Sequence, residues 1–306
     1  MKRILARRAL WSLFVVYLFL STMFLAFALI DDPTKPLGGE ANTGRFGQIQ
    51  DDSSPLTARY LTFMGWYANL DLGESVLYER SASTLVLDTL PVTLVYLVPA
   101  VLLAALSSLL TGLYTGMRPG GLADRATNAL AQLGLGIPAV VVADLLAFWV
   151  GTTEWYPSFD GAAGLLSPTN LAVFSLPILV TAVNLWAVQN RAVRDETAAY
   201  LPQEFVRTLR AGGADNKRVA RHLLRNAAPS LVALFVSEAL ATMIISMYVV
   251  EIAFGLPGFG ALSYSAFFKP DLALVIPAVL LPVILGLAGN TAQDIVAMRL
   301  DPRIEG

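Results

Sequence analysis

Long apolar runs separated by short charged stretches dominate the hydropathy pattern of the chain. Six of these runs contain one charged residue or none, and each is at least as long as the about 20 residues that a helix needs to cross a bilayer. They extend over Ala9–Ile30, Thr89–Met117, Ala126–Thr153, Gly161–Asn190, Asn226–Val250 and Leu272–Gln293. Continuous runs of this length favour helices over barrel strands. The pattern therefore predicts an all-α polytopic membrane protein with six transmembrane helices.

The distribution of lysine and arginine orients these predicted helices. With the N-terminus inside, most of the 21 basic residues fall on the cytoplasmic side, as the positive-inside rule requires. Both termini are then cytoplasmic. The predicted segments are a cytoplasmic N-terminus (1–8), TM1 (9–30), an extracellular loop (31–88), TM2 (89–117), a cytoplasmic loop (118–125), TM3 (126–150), an extracellular loop (151–168), TM4 (169–190), a cytoplasmic loop (191–228), TM5 (229–252), an extracellular loop (253–271), TM6 (272–297) and a cytoplasmic tail (298–306).

Three details of this framework have more than one interpretation. The first run resembles a secretory signal ending at Ala26-Phe27-Ala28, but it is longer than the usual 7–15 residues or so, which favours an uncleaved helix. The aromatic stretch 56–70 predicts a helix that either rests on the headgroups or contacts an external partner. The GxxxG spacing of Gly112 and Gly116 allows close helix contact, as a packing notch or as a subunit interface. Pro138 and Pro177 are among the prolines that predict kinks.

Composition excludes several kinds of chemistry. Only 14% of the residues are charged, against about 25% in soluble domains, and the net charge of −2 does not suggest a nucleic-acid partner. The absence of cysteine and the presence of one histidine, His222, exclude thiolate catalysis and a histidine-rich metal site. The sequence contains no G-x-x-x-x-G-K-[ST], H-E-x-x-H or G-x-S-x-G motif. We therefore expect no catalytic residue, metal or cofactor in this chain.

The most basic segment of the chain is Val206–Pro229, inside the predicted cytoplasmic loop. Gly212-Gly213 predicts a turn between two short helices, because glycine accepts positive φ. After the turn, one arc of the second helix is cationic and the opposite arc is apolar. The cations are Lys217, Arg218, Arg221 and Arg225, and the apolar residues are Val219, Ala220, Leu223 and Leu224. The segment is interpretable as a topology signal, a helix lying on anionic lipid, or an element that docks on a cytoplasmic partner.

Three acidic residues interrupt or border the apolar runs. Asp144 lies in the third run, Glu238 in the fifth, and Glu251 at the end of the fifth beside a Gly/Pro cluster. A charge at mid-bilayer costs about 2.5–3.5 kcal/mol on insertion scales, so such residues usually face a bundle interior. All three are candidates for lining a solute pathway. Asp144 or Glu238 also supports an alternative function, a proton-coupled secondary transporter, and a non-transport membrane scaffold is a third class.

Short motifs along the chain keep the order of a known family. The clearest lie in the basic segment, at Phe205–Gly213 and His222–Ala227. The others are Asp71-Leu72-Gly73 with Ser75, Leu90–Leu94, Gly136-Ile137-Pro138, Val250-Glu251 with Phe254 and Leu256–Gly260, and Asn290 and Asp294 with Asp301-Pro302-Arg303. Together they resemble the permease subunits of ABC importers, and most closely the dipeptide/oligopeptide/nickel permease family, first-subunit type.

The resemblance implies an ABC importer permease fold in the prokaryotic plasma membrane. This chain would form half of the translocation pathway for oligopeptides, dipeptides or a related solute, and would not itself be an enzyme. The implied partners are a second homologous permease, two cytoplasmic ATPase subunits that carry ATP and Mg, an extracellular or periplasmic solute-binding protein, and membrane lipid. The 206–229 segment would couple to an ATPase. The residues assigned to that coupling are Arg207, Gly213, Asp215, Arg218, Val219, Arg221, Leu223, Leu224 and Arg225.

Overall fold

Helices form nearly all of the secondary structure. The computed structural model describes residues 2–29, 48–49, 53–153, 155–269 and 271–300. Its elements are α1 (Lys2–Leu29), α2 (Leu56–Ala68), β1 (Glu74–Ser75), β2 (Arg80–Ser81), α3 (Ala82–Gly116), α4 (Leu122–Gly136), α5 (Ala139–Gly151), α6 (Pro168–Tyr200), α7 (Glu204–Ala211), α8 (Asn216–Ala253), α9 (Phe259–Phe268) and α10 (Leu272–Leu300). Most of residues 31–55 in the predicted 31–88 loop, and the Asp301-Pro302-Arg303 motif, lie outside the described residues.

Five helices in the described part of the chain are long and apolar enough to cross a membrane. These are α1, α3, α6, α8 and α10, and the bent pair α4–α5 makes a sixth span if it is counted as one. The predicted class of an all-α polytopic membrane protein is therefore confirmed. The boundaries differ most at the fifth span, which was predicted to begin at 229, whereas α8 begins at Asn216 and contains Pro229.

Proline has two different effects in these spans. Ile137 adopts φ −102° and ψ 118°, the extended backbone that a residue before proline prefers. Because Pro138 has no N–H to extend the hydrogen-bond ladder, α4 ends there, and α4 and α5 are bent by 87°. Pro177 lies inside the continuous helix α6, and Pro277 and Pro282 lie inside α10. The third predicted span is thus two helices rather than one.

Side-chain caps fix the starts of two long helices. The Ser167 hydroxyl accepts a hydrogen bond from the Asn170 N–H at 3.3 Å, and Pro168 occupies the first turn of α6. The Asp215 carboxylate accepts from the Arg218 N–H at 2.8 Å and starts α8. Pro229 does not end α8, since membrane helices tolerate proline. The amphipathic turns after Asp215 are consequently the first turns of the long helix that forms the fifth span, and not a separate short helix.

The chain divides into two compact units, of which the first comprises residues 1–93 and 256–288. In this unit α2 packs against α1. Phe63 and Phe24 are each 1% exposed, and their ring centroids are 5.5 Å apart. The hydroxyls of Ser21 and Tyr60 share a hydrogen bond of 2.7 Å. The helix predicted from the aromatic stretch 56–70 therefore exists, and it buries part of its aromatic face against the first span.

The second unit comprises residues 94–255 and 289–306. In it, two glycines let α3 approach α6 closely. A Cβ atom at Gly112 would lie 2.7 Å from the Val193 Cβ, and one at Gly116 would lie 2.6 Å from the Thr197 Cβ. These distances leave no room for a side chain. The GxxxG spacing was open to two interpretations, and here it packs the chain against itself.

Polar side chains bridge the same two helices. The Thr111 hydroxyl donates to Asn190 Oδ1 at 2.6 Å and accepts from Trp186 Nε1 at 3.1 Å. The Ser108 hydroxyl donates to Gln189 Oε1 at 3.3 Å. Interhelical hydrogen bonds of this kind stabilise membrane helix pairs by roughly 1 kcal/mol each. They fix the register of α3 on α6 in addition to the glycine contacts.

Candidate functional site

The basic segment forms a helical hairpin in the second unit. Helix α7 and the first turns of α8 are joined by Gly212–Asp215, and Gly213 has φ +77°, a conformation that favours glycine. The Gly213 and Ala214 N–H groups donate to the carbonyls of Arg210 and Leu209, each at 3.0 Å. The turn lies where the glycine pair predicts it. Residues Gln203–Arg225 are called the basic hairpin below.

An apolar cluster holds the basic hairpin in shape. Val206, Val219 and Leu223 are each 1% exposed and pack together, so α7 is fixed against the start of α8. Their partly buried neighbours are Met117, Tyr200, Leu201, Phe205, Leu209 and Ala214. Leu224 packs into a second cluster centred on Val193, Ala227 and Leu231. The apolar arc predicted from the sequence is therefore covered by the chain itself.

The opposite face of the basic hairpin is exposed and cationic. It carries Arg207, Arg210, Lys217, Arg218, Arg221 and Arg225. Within the described residues none of these six side chains forms a salt bridge. The carboxylate of Asp215, which is also exposed, is engaged as the cap of α8. The face thus presents concentrated positive charge on a backbone that is fixed from within.

An ion pair between the buried Asp124 and the half-buried Arg194 fixes the turn at 118–121, in the same unit. The Asp124 carboxylate accepts from Arg194 Nε at 2.5 Å and Nη2 at 3.0 Å, from the Gly120 N–H at 2.8 Å and from Asn128 Nδ2 at 3.0 Å. The Arg194 guanidinium is the main reason that the pKa of the Asp124 carboxyl is lowered to about 2. Both groups lie outside the charge-free runs. Sequence reasoning missed this pair, although Asp124 lies two residues before the third apolar run and Arg194 lies four residues after the fourth.

The three acidic pathway candidates differ in burial. Glu251 is 0% exposed, and its Oε1 accepts a hydrogen bond from the Tyr96 hydroxyl at 3.2 Å. Asp144 is exposed, and Glu238 is half-buried. Tyr96 was not singled out from the sequence, because it is one aromatic residue among many in an apolar run. In the part of the chain that the structure describes, no group of three or more His, Cys, Asp or Glu residues is placed to hold a metal ion.

The fold and the hairpin define a class, the polytopic α-helical membrane proteins that present a rigid cationic element beside their spans. Comparison with known proteins narrows this class to a family. A family model described as "Binding-protein-dependent transport system inner membrane component" matches residues 108–306, a stretch that contains the whole basic hairpin. The chain belongs to this family of multi-pass inner-membrane transport proteins. The resemblance to ABC importer permeases that the sequence motifs predict is confirmed.

Individual relatives support the same assignment. The chain is 27% identical over 263 residues to the inner membrane ABC transporter permease protein YejB of Escherichia coli O157:H7, covering 82% of this chain and 72% of that relative. It is 28% identical to the oligopeptide transport system permease protein AppB of Bacillus subtilis, covering 88% and 87%. It is 26% identical to the oligopeptide transport system permease protein OppB of Salmonella typhimurium, covering 99% of each.

Proposed function

We propose that the chain is one of two permease subunits of an ATP-driven peptide importer, with both termini in the cytoplasm. Membership of a binding-protein-dependent transport family supports a transport role. Relatives named as oligopeptide and dipeptide permeases support peptides as the solute. Because the sequence has no P-loop, ATP and Mg would bind to separate ATPase subunits. The proton-coupled alternative has less support, since the family is binding-protein-dependent and Asp144 is exposed.

The basic hairpin is the proposed contact with the ATPase. The observation that carries this assignment is a fixed helical turn whose exposed face is cationic. Because Val219 and Leu223 are buried in the hairpin's own cluster, we assign them the role of holding its shape. Arg207, Arg218, Arg221 and Arg225 would meet the partner, at an ATPase groove lined with acidic residues.

Helix α8 supplies a continuous connection from this contact into the membrane. It runs for 38 residues without a non-helical joint, about 57 Å at 1.5 Å per residue. A displacement of the basic hairpin would therefore be carried along the fifth span. Glu251 lies near the far end of this helix, bonded to Tyr96 on α3. ATP-driven movement at one end would in this way reposition a buried carboxylate at the other.

Charge reversal tests the ATPase contact. The chain is expressed with its second permease and its ATPases, and ATPase capture and peptide uptake are measured for Arg218→Glu combined with Arg221→Glu. Because both side chains are exposed, we expect the fold to be retained. Because the charge at the proposed contact is reversed, we expect ATPase capture and peptide uptake to fall at least tenfold. Arg125→Glu is the matched control, since it reverses an exposed cation outside the hairpin. Capture and uptake at control levels in the double variant contradict the proposed contact.

Among the pathway candidates, Glu251 has the strongest structural support, because its carboxylate is buried and bonded. Asp144 and Glu238 remain proposed as pathway residues on position alone. Glu251→Gln keeps the shape of the side chain and removes its charge. We expect it to lower peptide uptake while ATPase capture stays normal. Normal uptake in Glu251→Gln would restrict this residue to a structural role.

A further inference from the structure

A small β-hairpin in the first unit is stabilised by contacts from outside its two strands. Strands β1 and β2 pair antiparallel, with Glu74 opposite Ser81 and Ser75 opposite Arg80. An isolated two-stranded hairpin is marginally stable in water at best. This one is retained by hydrogen bonds to a buried carboxylate and by a constrained backbone on both sides. Residues Leu70–Ser81 are called the β-hairpin segment below.

Asp271, the residue before α10, supplies the buried carboxylate. It is 2% exposed, and its Oδ2 accepts from the Ser75 hydroxyl at 2.6 Å and from the Leu77 N–H at 3.0 Å. The Ser75 hydroxyl in turn accepts from the Tyr78 N–H at 3.1 Å. Hydrogen bonds to a charged acceptor are stronger than those between neutral groups. The turn between the strands is therefore fixed to the start of a membrane-spanning helix.

The backbone of the segment is strained at two places. Leu70 has φ +55° and Glu79 has φ +51°, and among the described residues these are the two non-glycine positions with positive φ. Such conformations are costly for L-residues and persist where the surroundings enforce them, often at functional sites. Both lie in the same twelve-residue stretch as the Asp271 contact. The segment is held in one shape that its own sequence does not favour.

The surface that results combines apolar and acidic side chains. Leu70 is 80% exposed, Val76 is 64% exposed and Tyr78 is 39% exposed. Glu74 and Glu79 are exposed beside them. None of these residues belongs to an apolar run, so the bilayer core does not cover them. Exposed apolar and tyrosine side chains on a rigid backbone are typical of a protein-binding surface.

We propose that the β-hairpin segment is the docking surface for the solute-binding protein, through an apolar patch on that partner rimmed by lysine or arginine. The inference rests on the proposed function and on the topology predicted from the sequence, in which residues 31–88 lie outside the cell. The family is binding-protein-dependent, so a partner of this kind is expected on that side. The glutamates favour a basic partner over anionic lipid headgroups, which would repel them.

Affinity measurements on the assembled transporter test the surface. The transporter is placed in nanodiscs of neutral lipid, and the probe is the solute-binding protein that stimulates its ATP hydrolysis. We expect Tyr78→Ala and Val76→Asp each to weaken binding about tenfold or more. Tyr114→Ala is the matched control, because Tyr114 is 50% exposed at the other end of α3. Its affinity should stay within about twofold of the unmodified transporter.

Charge reversal supplies a second test that does not depend on packing. Glu74→Lys combined with Glu79→Lys should weaken binding and reverse its dependence on salt, because attraction becomes repulsion. Ser75→Ala should raise hydrogen exchange in the turn and weaken binding partially.

A transporter that neither captures ATPases nor responds to a binding protein contradicts the proposed function. If the transporter responds to the binding protein, and variants of the β-hairpin segment bind that protein as tightly as the Tyr114→Ala control does, this inference alone is overturned. The measurement is repeated in nanodiscs that contain anionic lipid. If the variants have an effect only there, the segment contacts the membrane, and the inference is overturned as well.

Discussion

The basic hairpin and the β-hairpin segment are both rigid turns beside membrane-spanning helices, but they are held by opposite kinds of chemistry. The basic hairpin is held by buried apolar side chains around Leu223 and displays cations. The β-hairpin segment is held by the buried carboxylate of Asp271 and displays apolar and acidic groups. The residues that fix a turn are thus different from those it offers to a partner. Variants at the two kinds of position should separate stability from binding.

The largest expected effect is at the centre of the apolar cluster. Leu223→Ala should lower the free energy of unfolding by about 2–5 kcal/mol, because it removes buried methyl groups and leaves a cavity. Thermal unfolding of the purified chain in detergent measures the change. Arg221→Ala, two residues away and exposed, should stay within about 0.5 kcal/mol. Similar unfolding midpoints for the two variants would show that the cluster does not hold the basic hairpin.

Removing the Asp271 carboxylate from the β-hairpin segment should lower the free energy of unfolding by less than Leu223→Ala does, but still measurably. Asp271→Ala leaves the Ser75 hydroxyl and the Leu77 N–H without their acceptor, which costs about 1–3 kcal/mol. Combining it with Ser75→Ala in a double-mutant cycle measures the coupling between the two side chains. Asp88→Ala is the control, since the Asp88–Arg80 ion pair is exposed and worth about 0–1 kcal/mol. Additive effects of Asp271→Ala and Ser75→Ala would contradict the hydrogen bond.

A charged pair adds a third kind of support, and it predicts a pH dependence. The pKa of Asp124 is about 2 in the folded chain, against about 3.9 for an unfolded aspartate. A lowered pKa contributes stability that is full above the unfolded value and is lost as the pH falls through the folded value. The difference in unfolding midpoint between the unmodified chain and Asp124→Asn should be constant from pH 8 to 5 and shrink between about pH 4 and 2. A difference that persists unchanged at pH 2 contradicts the ion pair.

The smallest expected effect is an increase in the stability of the β-hairpin segment. Glu79→Gly removes the side-chain clash at φ +51° and should stabilise the β-hairpin segment by up to about 1 kcal/mol. Glu74→Gly is the matched control, because Glu74 lies in a strand, where glycine costs about 0.5–1 kcal/mol. Hydrogen exchange of the turn amides measures both variants. We expect Glu79→Gly to increase the protection of the turn amides from exchange and Glu74→Gly to decrease it. An equal loss of protection in both variants would show that the backbone at Glu79 is not strained.

Local chemistry made part of this structure predictable. Gly212-Gly213 marks a turn because positive φ is accessible to glycine, and the turn is found there. Pro138 marks a kink because it lacks an N–H, and α4 ends there. The family was recognisable because its motifs keep their order along the chain. Each of these signals is contained in a few consecutive residues.

Other features depend on contacts between distant residues. The Asp271–Ser75 bond joins positions 196 residues apart, and the Glu251–Tyr96 bond joins positions 155 apart. No local pattern distinguishes these residues from other polar side chains near apolar runs. The amphipathic pattern after Gly213 predicted an apolar face correctly, but it did not tell what covers that face. Helix α7 covers Val219 and Leu223, whereas Leu224 packs into the cluster around Val193, and both contacts depend on the fold around them.

The two glycines at which α3 meets α6 also limit how this chain can vary over evolutionary time. At Gly112 and Gly116 even a methyl group would collide with a neighbour, so alanine, the smallest step away from glycine, is already excluded. A smaller residue at Val193 or Thr197 does not remove the conflict, because the added methyl groups would also lie 2.8 Å from the backbone carbonyl oxygens of Asn190 and Arg194, so another residue there requires α3 and α6 to move apart. Divergence in this family should therefore leave the two glycines in place long after the surrounding lipid-facing residues have been exchanged.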